Sequence, residues 1–337
     1  MKRYSFGYLS SERQAIMGLA ILWVMFFHSS VNFGQFPLIN TLKRFGNLGV
    51  DIFLLLSGIG LFYSAQRLRR EYEDHWLVAF YRKRVIRILP ATIICLLPWY
   101  LYLYREQDVN VLRWLLDITS LSFWIDGKNR GWYVALSIVL YLMFPIFYCM
   151  LVKGKSNRLL SFIVLIAIDI AFNTAIAIYK PDWFGKVNLA LCRVPVFILG
   201  CFLASKVKDN IEQGWLALIC LLAAILLVFI RIRFIEPLKI YGIWRYLYGA
   251  LGFCITVVTS VIFHSFHGKW LPKIFSFFGK YTLELYLTHT QILTVMTKQM
   301  KPYFSGVMIN VLAVVLSIIM AVIVHEGLSY VIKRISK

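Results

Sequence analysis

Two ionisable residues stand where an apolar chain has little room for them. His28 follows the run MGLAILWVMFF, and Asp51 opens the run GVDIFLLLSGIGLFYS. Imidazole, with an unperturbed pKa of about 6.5, accepts a proton near neutrality, and a carboxylate held against it fixes the tautomer and stabilises the imidazolium. If both runs cross a membrane, His28 ends one helix and Asp51 begins the next at a similar depth. The spacing therefore predicts a His28–Asp51 pair acting as a general base. A hydrogen bond that merely ties the two helices together fits the same spacing.

A second group lies in AFYRKRVIRILP, where Arg84 and Arg87 project from one helix face at i, i+3. Planar guanidiniums bind two phosphate oxygens at once, so the pair suits a phosphorylated ligand. Basic residues flanking a span account for much of this charge, but not for its continuation into the helix as far as Arg87. Arg193, Arg245, Trp132, Tyr133, His289 and Glu284 are candidates for an outward-facing polar pocket. Against this stand snorkelling for the arginines, the aromatic belt for Trp132 and Tyr133, and a satisfied core position for His289. His264 and His267 have a spacing that suits a metal, but no further ligand is near them in sequence, so they read as exposed loop histidines and no metal is expected. His325 and Glu326 receive no role.

The elements that must position these residues follow from composition. Hydrophobic residues make up 60% of the 337 and charged residues only 15%, and the mean hydropathy is +0.72. These values exclude an ordinary soluble domain, a disordered chain and a collagen-like repeat. Runs near twenty residues long, continuous and not alternating, point to membrane helices of about 30 Å and away from a barrel. The expected spans are 14–32, 47–64, 85–104, 132–152, 159–179, 188–205, 214–230, 241–263, 274–297 and 306–331. The fold class is all-α: a polytopic bundle of about ten transmembrane helices in one domain over 1–337. The stretch 111–124 is too short and too charged to span and reads as an interfacial loop element.

Lys and Arg number 36 against 16 Asp and Glu, and this excess reads as topological, with no nucleic-acid module. With the N-terminus inside, the cytoplasmic segments carry 21 basic residues and the outer loops 13, which favours both termini in the cytoplasm. Most of that margin comes from residues 65–87. The six cysteines form no C-x-x-C pair and predict neither a disulfide nor a metal site. The first apolar run lacks a cleavage site and reads as a retained span.

Taken together, the segments resemble the acyltransferase three family of integral membrane O-acyltransferases. The resemblance rests on MGLAILWVMFFHSS, GVDIFLLLSGIGLFYS, FYRKRVIRILP with Arg84-x-x-Arg87, WYVALSIVLYLMFP, RVPVFILG and FGKYTLELYLTH, in family order over nearly the whole chain. It implies ten helices and transfer of an acyl group, acetyl in the first instance, from cytoplasmic acyl-CoA to a hydroxyl of a cell-surface or exported carbohydrate. It implies His28 as the leading catalytic residue and the R-x-x-R pair at the donor. The family commonly has an Arg eleven positions before that His, where this chain has Met17. Arg13 lies one i−4 step earlier on the same face and is the nearest replacement.

The expectations are therefore a multi-pass protein of the cell membrane, with acetyl-CoA or another acyl-CoA as co-substrate and no permanently bound cofactor. Its partners would be a carbohydrate or glycolipid acceptor, membrane lipids and separate polysaccharide-assembly proteins. With no soluble catalytic domain after the last span, the membrane domain or such a partner would complete transfer. A proton-coupled transporter or flippase of a small polar or glycolipid substrate is the competing class, since intramembrane His, Asp, Glu and Arg also serve substrate pathways. The absence of repeated halves weighs against it.

Overall fold

With no water in a hydrocarbon layer to satisfy N–H and C=O groups, an apolar run must close its hydrogen bonds within itself, which selects helices. The computed structural model describes residues 3–105, 107–128, 130–153, 157–234 and 242–335. Its principal helices are α1 (Arg13–His28), α2 (Leu48–Tyr72), α3 (Trp76–Tyr104), α4 (Trp132–Lys153), α5 (Arg158–Tyr179) and α6 (Pro181–Leu191). They continue with α7 (Val194–Lys208), α8 (Leu216–Arg233), α9 (Ile243–Ser265), α10 (Trp270–Lys280), α11 (Thr282–Met300) and α12 (Gly306–Ile335).

The protein is an all-α polytopic membrane protein. Among the described residues, seven stretches are long and apolar enough to cross a membrane, and the first of them, 37–104, contains both α2 and α3. The expected count of ten exceeds what length and hydropathy establish, because α1 has only 16 residues and α11 is more polar. Residues 154–156 and 336–337, assigned to the inner face by the charge count, lie outside the described residues. The stretch 111–124 forms two short helices, Val111–Ile118 and Phe123–Asp126, which do not span.

α2 is the axis of the bundle, with Phe53, Leu55, Ile59 and Phe62 all buried. It meets α7 backbone to backbone: a Cβ on Gly58 would stand 2.3 Å from the Phe197 carbonyl, and one on Gly200 would stand 2.1 Å from that of Leu55. Small residues permit this approach where lipid gives no hydrophobic drive. α8 and α12 keep apolar side chains such as Leu222, Ile225, Val311 and Ile323 exposed, as lipid-facing helices do. A two-residue antiparallel pair, β1 (Tyr4–Ser5) with β2 (Glu212–Gln213), stitches the N-terminal segment to the turn after α7. This is the N-terminal end of the bundle; His28 lies at the far end.

Candidate functional site

At the far end the last residue of α1 meets the middle of α11. His289 Nδ1 lies 2.8 Å from the Leu285 carbonyl, so this nitrogen donates and, in the neutral ring, Nε2 is left as an acceptor. That Nε2 lies 3.1 Å from His28 Nδ1, which also faces the Val24 carbonyl at 3.0 Å. His28 Nδ1 must therefore carry the proton and donate to both. The proton is absent from His28 Nε2, and no hydrogen bond among the described residues falls on it. His289 thus fixes the tautomer of His28, with the rings tilted at 57° and their centroids 5.0 Å apart.

Both histidines line a cavity of about 400 Å³, with Lys128, Arg130, Trp132, Tyr286, Thr290 and Thr294 among its other walls. Arg130 Nη1 donates to the Thr290 carbonyl at 3.1 Å and to Thr294 Oγ1 at 2.6 Å, and its guanidinium lies 4.8 Å from the Trp99 ring. Burial pulls Arg130 below its usual pKa. Among the described residues no carboxylate lines the cavity, so its charge is positive. The loop holding these cations is built around Arg113, which bonds Asp117 at 2.9 Å and Asp126 at 2.6 Å, while Tyr104 donates to Asp117 at 2.6 Å. Asp126 in turn accepts the Lys128 N–H at 2.9 Å.

The expected His28–Asp51 pair is not formed. Asp51 is wholly buried and its Oδ1 accepts from Arg193 Nε at 3.0 Å. The remaining Arg193 nitrogens reach the Leu189 carbonyl at 3.2 Å and the Asn47 carbonyl at 3.4 Å, and Trp132 lies beneath the guanidinium at 5.0 Å. The physical reason is charge: a buried arginine competes for a buried carboxylate more strongly than a neutral imidazole does. Arg193 was expected to line a pocket; it is occupied with Asp51.

The other pocket candidates separate in the same way. Trp132 and His289 line the cavity. Tyr133 lies behind it against Phe53 and Tyr286, with ring centroids at 6.0 and 5.1 Å. Arg245 bonds Asn188 Oδ1 at 2.5 Å and stacks on Trp244 at 4.2 Å. Glu284 sits one turn into α11 and its Oε1 lies 3.0 Å from His325 Nδ1 at the N-terminal end, so it belongs to the opposite side of the bundle. His325, given no role from sequence, is its partner.

The donor candidates do converge. Arg13, Arg84 and Arg87 lie within Coulomb reach of one another, and Arg13 and Arg84 also of Tyr141. Arg13 Nε donates to the Leu56 carbonyl at 3.4 Å, and Arg84 donates to Ser64 Oγ at 3.2 Å with its guanidinium 5.5 Å from the Phe80 ring. The buried Arg84 Nε has no hydrogen-bond partner among the described residues. Planar guanidiniums gathered in this way have the donor geometry that suits an anion. Between this cluster and the histidine pair, Tyr133 packs on Tyr286 with ring centroids 5.1 Å apart, and Tyr286 lies 6.0 Å from the His289 ring. Nearer the surface of the same end, Arg67, Arg70 and Lys208 line a cavity of about 660 Å³ that also holds Glu71.

Sequence reasoning missed Lys128, Arg130, Thr290 and Thr294, since nothing in a loop of ordinary polarity marks it as a cavity wall. It also missed Asp169, the one acid in α5, which accepts from Asn173 at 3.0 Å and from Tyr246 at 3.4 Å. A lone carboxylate with an amide four residues on was the available signal.

The sequence model of a family described as an acyltransferase domain matches residues 15–326. Candidate O-acetyltransferases of Staphylococcus aureus strains COL, MSSA476 and MRSA252 are each 26% identical over 291 residues, which is 74% of this chain and 46% of theirs. The chain thus spans about half the length of the curated relatives it matches. No solved structure matches it.

Proposed function

The chain belongs to the acyltransferase family, and from that premise we propose that it is a membrane O-acyltransferase moving an acetyl group from cytoplasmic acetyl-CoA to a hydroxyl of an exported carbohydrate. The observation that carries the reading is the free Nε2 of His28 on a ring that His289 holds in one tautomer at a cavity wall. In the reaction, His28 Nε2 takes the proton from the acceptor hydroxyl as its oxygen attacks the thioester carbonyl. The resulting imidazolium is stabilised through Nδ1–H, shared by His289 Nε2 and the Val24 carbonyl. When the C–S bond breaks, the coenzyme A thiolate recovers that proton and the ester is left on the acceptor. Arg130 faces the cavity where negative charge develops.

The cluster of Arg13, Arg84 and Arg87 is the proposed site for the donor's phosphates at the cytoplasmic end. Arg13 would serve there in place of the arginine that the family commonly has at Met17. The pantetheine arm would follow Tyr141, Tyr133 and Tyr286 to the histidines, and the carbohydrate or glycolipid acceptor would enter from the far end. Glycan-assembly proteins would be its partners. The same polar interior would suit a transporter, but family membership and a histidine poised for proton abstraction favour transfer.

The test is turnover of radiolabelled acetyl-CoA with a glycan acceptor, using purified protein in lipid nanodiscs and normalising to folded protein. His28→Ala should lose about 10²–10⁴-fold while keeping donor affinity, and His289→Gln should lose less, since it orients and does not accept the proton. Wild-type activity per folded molecule in His28→Ala would reject the mechanism.

A further inference from the structure

Glu12, just before α1, is only 3% exposed although its neighbourhood is the bundle's surface end. Its Oε1 accepts from His267 Nδ1 at 2.6 Å and from Ser11 Oγ at 3.3 Å, and it lies 3.5 Å from His264 Nδ1. The two histidines come from the last turn of α9 and the tight turn beyond it, where Gly268 takes a φ of +76°. Tyr8 stacks on His264 with ring centroids 3.8 Å apart and planes 18° from parallel, which fixes that imidazole's plane. Sequence spacing had supplied two nitrogen ligands at i, i+3; folding adds an oxygen ligand 255 positions away from His267.

We propose that Glu12, His264 and His267 form a binding site for a zinc-type divalent cation, which fastens the base of α1 to the turn between α9 and α10. Their ligand atoms all lie within 4.8 Å of one another. Two imidazoles and one carboxylate suit zinc and its neighbours cobalt and nickel; magnesium and calcium prefer all-oxygen shells. In a tetrahedral site with bonds of about 2.1 Å, ligand atoms stand roughly 3.4 Å apart. The His264–Glu12 separation of 3.5 Å already has this value, and the 2.6 Å of His267–Glu12 must open by less than 1 Å. That adjustment is open to side chains 42% and 62% exposed, and the same exposure leaves a fourth position to water. The clip would sit one residue before Arg13 and would stiffen the point from which Arg13 reaches into the bundle.

Zinc and cobalt binding are measured by calorimetry and by the visible absorption of cobalt, on protein carrying no oligohistidine tag. One equivalent per chain is expected, with affinity weakened by at least roughly 10–100-fold in the His264→Ala, His267→Ala double variant. His28→Ala with His289→Ala should leave binding intact, which separates this site from the other histidine pair. Zinc should raise the melting temperature of the wild type and not of His267→Gln, whose exposed ring can be replaced without loss of the fold. No saturable binding by the wild type, or equal affinity in the variants lacking His267, would overturn the proposal.

Discussion

At the scale of residues, the buried pair of Asp51 and Arg193 determines how the far end responds to substitution. Removing one partner leaves an uncompensated charge away from water, which typically costs about 3–5 kcal/mol, whereas replacing both with apolar or neutral groups costs much less. Asp51→Asn and Arg193→Met should each lower stability strongly in denaturant titrations in detergent, and the double variant should recover part of the loss. Activity per folded molecule in Asp51→Asn should stay far above that of His28→Ala. A variant folded as well as wild type but inactive would return Asp51 to the chemistry. His28 and Asp51 were both legible in the sequence as misplaced polar residues. Their partners were not, because hydropathy reports depth along a span and says nothing of which way a helix faces.

At the scale of elements, α1 and α10 touch through their backbones. A Cβ on Gly18 would stand 1.7 Å from the Phe275 carbonyl, and one on Gly279 would stand 1.9 Å from that of Gln14. Gly18→Ala and Gly279→Ala must therefore separate the helices, at a cost of about 1–3 kcal/mol or more. Gly327 in α12, with nothing within 4 Å of its Cβ position, is the control, and Gly327→Ala should be neutral or slightly stabilising. Thermal unfolding of the three variants in one detergent compares them directly; equal melting temperatures would contradict the packing. Most spans were readable from apolar length, although breaks at 192–193 and at Tyr281 divide the expected 188–205 and 274–297 between two helices each. α3 is the instructive exception: it begins at Trp76 and not near residue 85, because the helix continues through the charged turn that carries Arg82 and Arg84. An apolar window sees the membrane-buried part of a helix and is blind to its polar extension.

At the scale of the whole molecule, orientation decides what the two polar regions can meet. If the N-terminal end is cytoplasmic, single cysteines placed at 66–82 in a cysteine-free background should be shielded from an impermeant thiol reagent in intact cells, and those at 107–128 should react. The opposite pattern would place the arginine cluster outside, beyond reach of cytoplasmic acyl-CoA, and would remove the donor reading with it. The native cysteines permit such a background, since five of the six are buried and all are free.

Composition and spacing alone mark this chain as a helical membrane protein, show roughly where its helices run, and single out His28 and the arginines of α3. Those conclusions rest on burial free energy and charge, which are summed along the chain and need no knowledge of neighbours. Folding is what pairs His28 with His289, Asp51 with Arg193 and Glu284 with His325, and brings Glu12 to His264 and His267. Each of those joins side chains at least 41 positions apart in sequence. Contacts of that kind are fixed by the rotation of each helix about its axis and by close approaches such as Gly58 on Gly200, which no hydropathy pattern encodes.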